Sequence, residues 1–137
     1  MSVEIGRLMK SIGGMPTWIQ IWLAILMSTN MASLAFLDTP VGLWTAVAFA
    51  IVCMFNMPMM LIQGGMTRLL SLPHFVWAPL VVFIFLQLHG DNPIPRGTTL
   101  HAFAVAVFVV NTISLVFDVM EVYRWFRGRR EILGLAA

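Results

Sequence analysis

Asn111 to Arg130 reads NTISLVFDVMEVYRWFRGRR, an apolar run that carries two carboxylates and closes on arginines. At about 100° per residue, Asn111, Ser114, Asp118 and Glu121 fall within about 80° of one helical face. The opposite face is Val, Ile, Leu and Phe. A helix of this kind turns its apolar residues to lipid and its polar stripe to a protein interior.

The remainder of the chain agrees. Of 137 residues 60% are hydrophobic and 10% charged, against about 25% charged in ordinary soluble domains. The mean hydropathy of +0.91 excludes a water-soluble fold, and the length accommodates one domain. The formal charge is +2, but the basic residues flank apolar runs instead of forming a face. Attraction to anionic headgroups accounts for them, and no nucleic-acid partner is expected. Cys53 is the single cysteine, so no intrachain disulfide forms. Arg7 and Lys10 precede the first apolar run as in a signal peptide. That run is about 20 residues long, however, and ASLA at 32–35 lacks the small-x-small spacing of a cleavage site. It is read as a retained span.

The expected fold is an all-α integral membrane protein, a bundle of four transmembrane helices at about 17–37, 41–62, 69–88 and 100–123. Residues 1–14 form a short amphipathic surface helix, with Ile5, Leu8, Met9 and Ile12 on one face and Gly13-Gly14 as its stop. Residues 15–124 make the membrane domain and 125–137 a basic cytoplasmic tail. Trp18, Trp22 and Trp44 sit where interfacial anchors belong. Ser28, Thr29, Asn30 and Ser33 form a polar patch suited to close helix contact.

Prolines mark the second and third spans. Pro58 is expected to kink or open the helix around Met54 to Pro58, where Asn56, Met60 and Gln63 share a face. Pro73 suits a first turn, so regular helix is expected from there, with Leu69 to Leu72 as an entry and His74 near the surface. Pro79 frees the carbonyl of Phe75, a second expected bend. The loop HGDNPIPRGTT at 89–99 precedes a cap at Thr98 or Thr99, and Gly128 ends the last helix.

Four spans place both termini on one side, together with Arg7, Lys10, Arg68, Arg124, Arg127, Arg129 and Arg130, against Arg96 alone. The positive-inside rule makes that side cytoplasmic, in an inner (plasma) membrane. Asn56 then lies about 9 Å, and Asp118 about 7–8 Å, from the inner end of its span. Asn56, Gln63, His74, Asn111, Ser114, Asp118 and Glu121 form one candidate polar cluster. Arg68 and Arg124 are the expected ion-pair partners of the two carboxylates. The cluster reads either as a proton or cation path or as a salt-bridged clamp.

On the outer side His89, Asp91 and His101 are candidate ligands for a divalent metal or haem. Met54, Met57, Met59 and Met60 beside Cys53 are soft enough for Cu(I), but Met59 and Met60 cannot share a face with Met57. Flexible apolar filling is the better account of them. HExxH, GxSxG, a phosphate loop and CxxC are all missing, and no span holds a lysine for a Schiff base. The expectation is a non-enzymatic accessory or structural subunit of a membrane assembly, without a cofactor. A homo-oligomeric small channel or transporter is the alternative, and a metal- or haem-binding membrane protein a third. Partners are the lipid bilayer and either further copies of the chain or a larger complex. Reporter fusions test the topology: Gly65 and the end of the chain should read cytoplasm, and Asn92 the exterior.

Overall fold

The computed structural model describes residues 2–135. Five α-helices follow in order: α1 (Ser2–Gly14), α2 (Thr17–Met31), α3 (Pro40–Gln63), α4 (Trp77–His89) and α5 (Thr99–Phe126). Short 3-10 segments continue α2 over Ala32–Phe36 and lead into α4 over Arg68–Ser71 and Pro73–Val76. Among the described residues there is no strand. Four helical stretches, Thr17–Phe36, Pro40–Gln63, Arg68–His89 and Thr99–Phe126, are long and apolar enough to cross a membrane. Only 17–33% of each apolar stretch is buried inside the chain. Their outer faces are therefore apolar with no protein to cover them, which suits a lipid surround.

Helix boundaries follow local chemistry. Thr39 caps α3: its Oγ1 accepts from the Gly42 amide at 3.1 Å, and Pro40 takes the first turn, where no amide hydrogen is needed. Thr98 caps α5 in the same way, accepting from His101 N at 3.1 Å. Gly64, at φ 71°, supplies the left-handed residue that ends α3, and its amide and that of Gly65 close on Leu61 and Met60 carbonyls.

One proline expectation is narrowed and one is corrected. Winding in α3 continues through Pro58 to Gln63 without the expected opening. One missing amide in 24 residues does not interrupt the ladder, and Asn56 is held from the protein side (below). In the third span regular α-helix begins at Trp77, not Pro73. Pro73 and Pro79 both lack an amide hydrogen, so the chain before Trp77 winds as 3-10 turns. Pro79 then lies in the first turn of α4, where it disrupts nothing.

α5 is the central post and touches all the other spans. Its inward positions Phe103, Ala104, Val107, Asn111, Ser114, Asp118 and Val122 recur at steps of one, three or four. Toward one end it packs on Leu26, Val41, Ala48, Trp77, Leu80 and Ile84, with Phe36 stacked on Phe103 at 4.6 Å. That half is dry. Its buried hydroxyls, Thr45 and Ser33, bond to carbonyls of their own chain segment, Val41 and Asn30.

At the other, arginine-rich end three segments are tied together. Ser11 of α1, wholly buried, donates to the Leu133 carbonyl at 2.6 Å and accepts from Met66 N at 3.0 Å. Leu133 N in turn donates to the Met66 carbonyl at 2.7 Å. Backbones pass closely here: a Cβ on Gly14 would lie 1.8 Å from the Gly134 carbonyl oxygen, so no side chain fits. Residues 131–135 thus form a strap across α1 and the turn after α3. The apolar residues of α1 divide between this contact and the outside, with Val3, Ile5 and Met9 exposed.

Asn30 and Asn111 lock α2 to α5 by a reciprocal amide pair, 2.9 and 3.0 Å, both fully buried. Asn30→Leu strands the Asn111 amide and should lower unfolding free energy in detergent by about 1–2 kcal/mol. Replacing both by Leu should recover much of that loss, because neither partner is then left unpaired. A double variant as unstable as the single one would show that the pair is not what joins these helices.

Candidate functional site

Below the asparagine pair, the inward face of α5 carries the centre of the polar cluster. Both Asp118 oxygens approach His74 Nδ1, at 3.0 and 3.1 Å. Ser114, one turn back, donates to Asp118 Oδ2 at 3.2 Å. On the far side of the imidazole, Asn56 Nδ2 lies 3.3 Å from His74 Nε2. The ring is stacked on Trp77 at 4.4 Å and 14°. Asp118 is 5% exposed and Trp77 1%. The 3-10 turn Pro73–Val76 aims His74 at α5, while the unbroken end of α3 brings Asn56 to the other ring nitrogen.

The imidazole is held from both sides, Nδ1 facing the Asp118 carboxyl and Nε2 the Asn56 amide, and Asn56 Oδ1 is buried without a partner. The arrangement does not build a nucleophile. Ser114 touches the acid and not the base, so its hydroxyl has no group to remove its proton.

One turn further lies a set of charges. Arg68 Nε is 2.9 Å from Glu121 Oε2, and its Nη1 contacts Glu131. The Nε contact is an ion pair without hydrogen-bond alignment, since Nε itself has no bonded acceptor. Arg124 Nη1 closes on Glu121 Oε1 at 2.6 Å. Glu131 belongs to the strap. Its own backbone amide, then Arg68, hold its carboxyl below the usual range. Its contribution is present at neutral pH and fades as pH falls through that lowered value.

The structure thus brings together Asn56, His74, Ser114 and Asp118, and separately Glu121, Arg68 and Arg124. The arginine partner expected for Asp118 is corrected: His74 reaches it first, and both arginines serve Glu121. Asn111 is engaged with Asn30. Gln63 stands apart, accepting from Thr67 Oγ1 one turn on. The outer candidates His89, Asp91 and His101 lie at the other end of the bundle. Among the described residues no three of His, Cys, Asp or Glu gather as a metal site. His89 is exposed, stacked on Phe85 and 3.2 Å from the Phe85 carbonyl of its own helix. Met54 and Met57 are exposed rather than gathered around Cys53.

Four participants were not anticipated from sequence: the pairing of Asn30, the Trp77 platform, Glu131 and Ser11. Asn30, an amide inside an apolar span, carried a readable sign. The others are joined to their partners only by the fold. No protein-family model, curated protein or solved structure matches the chain.

His74→Phe keeps the stack on Trp77 and removes both hydrogen bonds. Asp118 is left with Ser114 alone, so stability should drop by about 1–3 kcal/mol. Adding Asp118→Leu should return part of it, read by thermal unfolding in detergent. If His74→Phe is neutral, the imidazole does not hold Asp118.

Proposed function

We propose that this chain is a non-enzymatic accessory subunit of a membrane assembly, held in an inner (plasma) membrane with both termini on the cytoplasmic side. One observation carries the reading: the bundle is polar in one half and closed in the other. Between Asn111 and the start of α5 the inward residues are Val107, Ala104 and Phe103, about 18 Å of helix without a buried polar side chain. Ile84, Leu80 and Trp77 pack against them. Beyond the asparagine pair the inward face of α5 offers a proton arriving at Asp118 no further polar side chain. The orientation rests on seven basic residues at that end against Arg96 at the other.

A second reading is favoured by the His74–Asp118 pair itself. An intramembrane imidazole and carboxylate in contact suit a proton-coupled channel or transporter. Several copies of the chain would then have to complete a wet path that one copy lacks.

Proton flux separates the two. The purified chain, reconstituted in vesicles holding a pH-sensitive dye, should conduct no faster than protein-free vesicles under an imposed gradient. Flux that disappears on Asp118→Asn would overturn the subunit reading in favour of the transporter. On mild extraction from its native membrane, the chain should elute in a larger complex at fixed stoichiometry rather than as a homo-oligomer.

A further inference from the structure

We propose that the outward face of α5 at its arginine-rich end binds one anionic phospholipid. Its phosphate is held by Arg127, beside the Glu121-paired Arg124, and an acyl chain lies along Val119 and Met120. Val119, Met120, Tyr123 and Arg124 line a shallow concavity of about 400 Å³ on this face. No other helix of the chain covers it: Val119 is 57% and Tyr123 62% exposed. Polarity changes over about two helical turns, from two apolar side chains to a phenol and then guanidinium groups. That order is the order of acyl chain, ester region and headgroup in a lipid.

Charge accounting selects the headgroup. Arg68 and Arg124 are balanced by Glu121 and Glu131. Among the described residues Arg127 and Arg130 form no ion pair, and Arg129 acts on Glu131 only through space, so this end carries excess positive charge. Arg127 is already placed, its guanidinium 5.8 Å above the Tyr123 ring, which reduces the side-chain freedom lost on binding. A guanidinium fork matches phosphate oxygens, and a net negative headgroup leaves no ammonium to repel it. Arg127 joins the concavity through the lining Tyr123, whereas Arg130 lies 5.4 Å over Trp125, which does not line it, and is the internal control.

The test is native mass spectrometry of the full chain in neutral detergent, offered equimolar phosphatidylglycerol and phosphatidylcholine. One phosphatidylglycerol should be retained in preference. Arg127→Gln, at an exposed helix end where folding is insensitive, should reduce that preference about fivefold. Arg130→Gln should reduce it far less, and circular dichroism should be unchanged in both. Equal losses from both variants would mean a diffuse basic surface and overturn the site. So would the absence of any preference in the wild-type chain, or thermal stabilisation by inorganic phosphate alone equal to that by phosphatidylglycerol.

Discussion

In hydrocarbon no water is at hand to satisfy a buried donor or acceptor, so each must find a partner within the protein. α5 carries most of these obligations, and the other elements are arranged to meet them. α2 brings Asn30 to Asn111, the 3-10 turn brings His74 to Asp118, and the turn after α3 brings Arg68 to Glu121. Apolar packing alone would tolerate many rotations of α5, because lipid and side chain are equally oily. The polar contacts admit one. They set the register of the bundle even where each contributes little net free energy.

Compensation is graded along the helix axis. Deepest is a neutral amide pair, next a carboxylate shared with an imidazole and a hydroxyl, and last a group of full charges at the rim. Ion pairs sit where water can screen and solvate them, and the most buried carboxylate faces an imidazole and a hydroxyl. This order follows the falling cost of charge toward the interface.

Much of the fold could be read from the chain. Asn111, Ser114, Asp118 and Glu121 recur at helical spacing, and the three most buried of them do face inward. Thr98 caps as its position implies, and the span ends fall within a few residues of the apolar runs. What escaped was of two kinds. Local competition hid the start of α4, since two prolines six residues apart favour 3-10 winding over an earlier α-helix. Long-range pairing hid the chemistry. His74 and Asp118 are 44 residues apart and Arg68 and Glu131 are 63 apart, and no periodicity relates them. Assigning arginine to Asp118 was sound electrostatics applied without knowing how the third span enters the bundle.

The strap at residues 131–135 bears on the order in which the chain assembles. Ser11 and Leu133, which share a hydrogen bond, lie 122 residues apart, so the bond joins a segment made before the four spans to one made after them. Loop closure over such a distance is slow and entropically opposed until the intervening helices have associated. Without the strap the Ser11 hydroxyl hydrogen and the Met66 carbonyl lack the partners that Leu133 gives them. Closure of the arginine-rich end therefore requires α5 to be in place, because the strap follows it in the chain.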